Sequence, residues 1–312
     1  MNQSITHSIR HLIEYVDVLF LRWVFRLLPF GMSMRFACHA SPILSSIFPI
    51  RRKIILENLR TAFPEADEKT LSSLVKDTYR NFFLLIVEFI KFEQRDLNDL
   101  MTQITVIEGE KYFNEVGAGK KPFLALTAHI GNWELMGAYF AARHISLSVL
   151  AKPIHNNYID RLVNRMRKKK GLDVISTQDS PIRDVLEALK GGQCVAFLAD
   201  QDARRAGIFT DFFGKPASTF TGPALFSFKT GLPLLPVFDV RTGISTHKVI
   251  FFPPIYPSQS EPEREEAIRD ITEKYTRILE DVIRKYPGQY FWFHRRWKTQ
   301  PREPRNTASS PA

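Results

Sequence analysis

Between Ile104 and Phe252, short apolar runs alternate with helix-patterned segments, and this alternation restricts the possible folds more than any other feature of the chain. The strand candidates are Ile104 to Ile107, Pro122 to Thr127, Leu147 to Ala151, Asp173 to Ile175, Cys194 to Ala199, Leu234 to Val240 and Lys248 to Phe252. Helical spacing fills the gaps at about Glu134 to Arg143, Asn157 to Lys170, Ile182 to Lys190 and Gly222 to Thr230, and a long helix follows from about Pro262 to Tyr286. Strands separated by helices pair in parallel and are buried on both faces, which is why such runs read as nearly continuous apolar stretches. The expected fold is therefore α/β, a central and largely parallel sheet flanked by helices. Two helices precede the sheet. One spans about Ile54 to Ala62 and stops at Pro64; the other runs from Glu68 to about Phe92, with Leu71, Leu74, Tyr79, Phe82, Phe83, Ile86 and Phe89 at helical spacing. No internal repeat and no linker interrupts residues 40–298, so residues 46–298 are expected to form one domain. Residues 299–312 are polar and proline-rich enough to form a disordered tail.

Residues 1–45 read as a separate helical element. Leu12, Ile13, Val16, Leu19, Phe20, Trp23, Val24 and Leu27 fall within one helical arc of roughly 140°, with the charges outside it. Glu14, Asp17, Arg22 and Arg26 break any transmembrane-length apolar run, and no secretory cleavage pattern is present. Pro29 and Gly31 are expected to end the helix, and Trp23 among arginines suits the boundary between headgroups and acyl chains. A helix packed on the protein's own core and a short tilted span are the alternatives.

The formal net charge is +10, with clusters at Arg51 to Lys53, Arg165 to Lys170, Arg204-Arg205 and His294 to Lys298. An acidic partner is implied: an anionic membrane, an acidic protein, a phosphorylated substrate or a nucleic acid. Nucleic acid is not expected, because no recognised motif or stacking platform accompanies the basic runs. Cys38 and Cys194 lie far apart without metal-ligand spacing, so both are expected as free thiols, with no metal and no cofactor.

The segment carrying chemistry is Ala128-His129-Ile130-Gly131-Asn132-Trp133-Glu134. His129 follows an apolar strand directly, at the carboxyl end where open α/β sheets place their ligands. Gly131 and Asn132 turn the chain into a helix, with Asn132 as cap and Glu134 in the first turn, where the helix dipole keeps a carboxylate ionised. A five-residue step along a continuous helix would separate the two side chains by about 140°; the turn is what allows them to converge. The expectation is that Glu134 holds one imidazole nitrogen as N–H and leaves the other free to take a proton from a hydroxyl. The backbone amides of Gly131 and Asn132 are candidate oxyanion donors. A histidine at a strand end is also a common structural residue, and spacing alone does not separate the two readings.

Ala-His-Ile-Gly-Asn-Trp-Glu resembles the active-site motif of the bacterial lipid A late acyltransferases, the lauroyl and myristoyl transferase family. The pattern Asn…Asp…Arg-x-x-x-Gly is met by Asn157, Asp160, Arg167 and Gly171. Asp200-Gln201-Asp202, Phe212 to Ala217 with Thr219, and the closing run from Tyr286 to Lys298 resemble further segments of that family in the same order. The resemblance implies a glycerolipid-acyltransferase-like fold. It also implies transfer of a fatty acyl group from acyl carrier protein to a hydroxyl of a lipid A precursor, at the cytoplasmic face of the inner membrane. His129 and Glu134 would be catalytic, and Arg167 would bind phosphate or an oxyanion. Asp200 would orient Arg167 or substrate, or pair with Arg204. Trp133 and Trp292 are expected as core or acyl-tunnel walls. The rival readings are a thioesterase or an acyltransferase for another glycolipid, and a non-enzymatic basic membrane-binding protein.

Overall fold

The computed structural model describes residues 2–117, 121–178, 180–257 and 264–301. Helices α1 (Asn2–Leu27), α2 (Phe30–Ile47), α3 (Arg52–Ala62), α4 (Glu68–Phe92) and α5 (Leu97–Met101) precede the sheet. Then follow β1 (Ile104–Glu108), α6 (Glu110–Gly117), β2 (Leu124–Thr127), α7 (Trp133–Ala142), β3 (Leu147–Ala151), α8 (Asn157–Lys169) and β4 (Leu172–Ser176). The chain continues through α9 (Pro181–Lys190), β5 (Cys194–Leu198), β6 (Ile208–Phe212), β7 (Lys215–Thr219), α10 (Gly222–Thr230), β8 (Leu234–Arg241), β9 (His247–Phe251) and α11 (Arg264–Lys285). The expected helix start at Pro262 and the expected tail beyond residue 301 lie outside the described residues.

The sheet order is β1-β9-β8-β2-β5-β3-β4. Strands β8, β2, β5, β3 and β4 pair in parallel, whereas β8 and β9 pair antiparallel and β1 runs parallel to β9. The sheet is thus α/β and mostly parallel, with two reversed strands at one edge. The short Thr242 to Thr246 connection permits this reversal, since a tight return can only produce an antiparallel pair.

Strand β2 shows how the apolar runs build the two faces. Leu124 and Leu126 pack toward Val185, Leu189 and Phe226 on one side, while Ala125 packs with Met136, Tyr139 and Phe140 on the other. All four β2 residues are buried, and each buried leucine is worth about 2 kcal/mol in transfer free energy. A third cluster joins α3, α4, the β6–β7 hairpin, α11 and the C-terminal residues Tyr290, Trp292 and Phe293. Trp292 lies wholly inside it, with Nε1 donating to the Pro287 carbonyl, so it is a core residue. Cys38 and Cys194 are free thiols.

Two elements depart from the sequence reading. The chain restarts as α2 directly after Pro29, because Ser33, Ala37, Ser41 and Ser45 repeat every fourth residue and let α2 approach α4 closely. The β6–β7 hairpin was not expected either: its strands carry too few alternating apolar residues to stand out, and it is held by its own ladder from Ile208↔Thr219 to Phe212↔Lys215.

Candidate active site

His129 and Asp200 meet because of strand register. Strands β2 and β5 run parallel with Thr127 opposite Leu198, so two residues beyond each partner the chain places His129 beside Asp200. His129 Nδ1 lies 2.8 Å from Asp200 Oδ1. An ionised carboxylate only accepts, so Nδ1 carries the proton and Nε2 is the basic nitrogen of the neutral ring. Asp200 is fully buried, which by itself would raise its carboxyl; the facing His129 outweighs burial and holds the group down to about 2. The Asp200 carbonyl accepts from the Tyr290 hydroxyl at 3.0 Å. Burial keeps His294, close behind Tyr290, neutral by pushing its imidazole down to about 4. The His129 ring meets Trp133 edge-on with centroids 4.9 Å apart, and Phe291 lies 5.9 Å away.

Glu134 does not touch His129. Its carboxylate receives a two-pronged contact from Arg167, Nη2 to Oε1 at 2.6 Å and Nε to Oε2 at 3.1 Å. The geometry corrects the expectation that Glu134 holds the imidazole: the first turn of α7 faces α8, which carries Arg167, while Nδ1 of His129 faces the end of β5. Arg167 is likewise committed. Burial works to lower its guanidinium, and the paired Glu134 outweighs this and raises it. The forked contact occupies the Nε/Nη2 edge of Arg167, and Nη1 lies 3.5 Å from Asn164 Oδ1, so any phosphate or oxyanion here would meet a guanidinium already neutralised by Glu134. Asp200 pairs with neither Arg167 nor Arg204; it is sealed behind His129.

The turn from His129 to Trp133 is fixed from behind. Gly131 sits at φ +57°, and a Cβ there would lie 2.1 Å from the Asp239 carbonyl oxygen, so only glycine fits. Its N–H donates to the Gln289 carbonyl at 3.2 Å, and the Asn132 N–H donates to Asp239 Oδ1 at 2.8 Å. These two amides are therefore already used, which corrects their assignment as oxyanion donors. Asn132 does cap α7 as expected: its Oδ1 accepts from Leu135 N–H at 2.9 Å. The amides of Trp133 and Glu134, next along the helix terminus, have no such acceptor among the described residues. The strap is completed from the C-terminal side, where Phe291 N–H donates to the His129 carbonyl at 2.8 Å and Ile130 bridges Tyr290.

Sequence reasoning missed the buried ionic network beneath this turn. Arg241 donates to both Glu88 oxygens, at 2.7 and 2.6 Å, and Asn132 Nδ2 donates to Glu88 Oε2 at 2.8 Å. His247 faces Asp239 Oδ1 through Nδ1 at 2.7 Å and Glu88 Oε1 through Nε2 at 3.0 Å. Burial acts to lower His247, but the two carboxylates outweigh it and push the imidazole up to about 9, so the ring is a cation donating from both nitrogens. Glu88 is held below the ordinary carboxylate range by Arg241 and His247, against the opposing effect of burial. The only sequence sign was a charged residue in the middle of an otherwise apolar helical stretch. Among the described residues, no cluster of His, Cys, Asp and Glu is arranged to hold a metal ion.

The profile of the Bacterial lipid A biosynthesis acyltransferase family matches residues 3–299. The chain belongs to that family. It is 25% identical over 284 residues to the Lipid A biosynthesis lauroyltransferase of Escherichia coli (strain K12), covering 89% of each chain. It is 23% identical over 286 residues to the Lipid A biosynthesis palmitoleoyltransferase of the same organism, again covering 89% of each. A 153-residue stretch is 26% identical to the Phosphatidylinositol mannoside acyltransferase of Mycolicibacterium smegmatis, covering 48% of this chain and 50% of that one. Membership makes the protein an acyltransferase of lipid A biosynthesis and sets aside the non-enzymatic reading.

Proposed function

We propose that this enzyme moves a fatty acyl group from acyl carrier protein directly to a hydroxyl of a phosphorylated lipid A precursor, with His129 as general base. The observation that carries this reading is the buried Asp200 carboxylate on His129 Nδ1, which leaves Nε2 as the proton acceptor. As the acceptor oxygen bonds to the thioester carbonyl carbon, its proton passes to Nε2, and Asp200 stabilises the imidazolium that forms. The tetrahedral intermediate then collapses, the C–S bond breaks, and the departing thiolate takes the proton back from His129. The unbonded amides of Trp133 and Glu134, at the positive end of α7, are the proposed donors to the oxyanion. Glu134 acts through Arg167: their ion pair locks α7 to α8 and so holds those amides in place.

The amino-terminal helices, residues 1–45 as a membrane-associated segment, are proposed to lie on the cytoplasmic face of the inner membrane. One side of α1 engages the protein through both apolar and polar groups, with Tyr15, Val18, Leu19 and Phe25 packed into the core clusters. Asn156 Nδ2 donates to the His11 carbonyl at 2.8 Å, Tyr15 packs on Tyr158, and Arg22 pairs with Glu93. Its other side is open, with Leu12, Ile13, Val16, Phe20, Trp23 and Leu27 between 50% and 66% exposed. On α2, Met32, Phe36, Ile43 and Ile47 extend the open apolar surface, and Phe48 and Ile50 continue it toward α3. Apolar surface on this scale fits a lipid interface rather than water. No helix among the described residues is long and apolar enough to cross a membrane.

The test is a mass-spectrometric assay with acyl carrier protein thioester and a phosphorylated lipid A precursor. The expected product gains one acyl mass, with release of the carrier's free thiol in equal amount. Phosphatidylinositol mannoside as acceptor and water as sole acceptor run in parallel. Faster acylation of the mannoside, or thioester hydrolysis that lipid A precursor does not suppress, would refute the assignment.

A further inference from the structure

The charge of Arg167 is already neutralised by Glu134, and a second cationic surface, with no such partner, lines one concavity of the fold. It is lined by Arg51, Gln201, Arg204, His294, Arg295 and Lys298. The segment Gln201 to Arg204 directly follows Asp200, and His294 adjoins Tyr290, whose hydroxyl bonds to the Asp200 carbonyl. The concavity therefore borders the back of the catalytic pair. Four cations line it, and none of them forms an ion pair among the described residues. The one carboxylate in the lining, Asp202, accepts from the Thr299 hydroxyl through Oδ2 at 2.9 Å, while its Oδ1 is buried without a partner among the described residues.

Local backbone adds to this. Arg51 and Arg204 both stand at positive φ, 54° and 56°, a left-handed conformation that costs a non-glycine residue roughly 1 kcal/mol or more. Arg51 is also the N-cap of α3 and supplies no side-chain cap, so the positive end of that helix opens beside the same cavity. Its guanidinium is anchored by Nη1 donating to the Phe293 carbonyl at 3.0 Å, which leaves the rest of the fork free. Phe48 and Ile50, 60% and 54% exposed, stand immediately before Arg51. A cationic hollow bordered by apolar side chains is complementary to an amphiphile whose anionic headgroup sits beside its acyl chains.

We propose that Arg51, Arg204, Arg295 and Lys298 form the site for a phosphate group of the acceptor glycolipid. This rests on the reading of the acceptor as a phosphorylated lipid and specifies where its phosphate is held. The site recognises a phosphomonoester on a sugar; a concave hollow suits that group better than the convex acidic face of a carrier protein.

The test joins binding to kinetics, using Arg204→Ala/Arg295→Ala and the charge-retaining Arg204→Lys/Arg295→Lys pair, with a thermal melt confirming that each folds. Binding of glucosamine 1-phosphate, glucosamine and inorganic phosphate is measured by calorimetry, without any acyl donor. The proposal expects wild type to bind the phosphosugar more tightly than phosphate alone or sugar alone, the alanine pair to lose that binding, and the lysine pair to keep part of it. In the acylation assay the alanine pair should raise KM for the phosphorylated acceptor by about tenfold or more, with donor KM within about twofold of wild type. A rise in donor KM instead would assign the surface to the acidic carrier protein and overturn the proposal. Equal binding of phosphosugar by wild type and the alanine pair would also overturn it. Intact phosphosugar binding with no acylation of lipid A precursor would refute the proposed function and leave the site standing.

Discussion

Replacing Asp200 with asparagine keeps the size of the side chain and removes the charge that faces His129. When His129 accepts a proton, the wild-type imidazolium sits against a buried carboxylate 2.8 Å from Nδ1. Two unit charges about 4 Å apart at an effective dielectric constant of 20 interact by about 4 kcal/mol, so losing this stabilisation lowers kcat by roughly 10³-fold. Asparagine also turns an amide N–H toward Nδ1 in one orientation, which favours the wrong tautomer; the same substitution in Ser-His-Asp enzymes costs about 10⁴-fold. KM for both substrates should stay near wild type, because Asp200 is wholly buried and lies behind the ring. The assay is initial-rate acyl transfer at saturating donor and acceptor, with a melt in parallel. The carboxyl sits at about 2 in the fold, below its ordinary value of 3.8, so its ionisation stabilises the native state above that ordinary value and the contribution is lost as pH falls toward 2. The asparagine variant should therefore lack part of the acid-induced loss of stability. A variant within about threefold of wild-type kcat would refute the electrostatic argument. One with intact kcat and a raised acceptor KM would mean that Asp200 meets the substrate.

Other outcomes follow from neighbouring contacts. Glu134→Gln and Arg167→Gln should each destabilise the fold by about 3 kcal/mol, since each leaves a largely buried partner unpaired, and the double variant should cost clearly less than their sum; additive losses in denaturant melts would contradict the pairing. His247 is raised to about 9, so its charged form stabilises the fold fully below about 6.5 and the contribution declines as pH rises through 9. Melts between pH 6.5 and 9 should show this decline in wild type, on the order of 3 kcal/mol in all, and a flatter profile in His247→Gln; parallel profiles would contradict it. Phe20→Ser with Trp23→Ser and Phe36→Ser should reduce co-flotation with anionic vesicles by about tenfold or more, and unchanged flotation would defeat the interfacial reading of α1 and α2.

The parallel sheet was legible because β2, β3, β5 and β8 are buried on both faces and so appear as unbroken apolar runs. The cap at Asn132 and the turn at Gly131 were legible for a local reason: a strand end, a glycine at positive φ and a side-chain acceptor lie within a few residues of one another. The partner of His129 was not. Asp200 is distant in sequence, and only the order of strands, which depends on how the helices cover the sheet, sets β5 beside β2. Glu134 looked like the partner because it is near in sequence, yet the first turn of α7 directs it to α8. Helix α2 escaped notice because the face it buries is mostly Ser33, Ala37, Ser41 and Ser45, with Met34 its one fully buried large apolar side chain, while Met32, Phe36, Ile43 and Ile47 point outward. The network of Glu88, Arg241, His247 and Asp239 is assembled from α4, β8 and β9 by long-range packing, and no spacing rule connects those residues.

The most direct measurement of the central claim is the rate of acyl transfer from acyl carrier protein thioester to lipid A precursor by His129→Ala, with the fold checked by melting. Removal of the general base together with the group that Asp200 supports should lower kcat by about 10³-fold or more, and acceptor binding should be retained. Acylation by His129→Ala at a rate close to wild type would show that the proton leaves the acceptor hydroxyl by another route, and the assignment of His129 as base would fall.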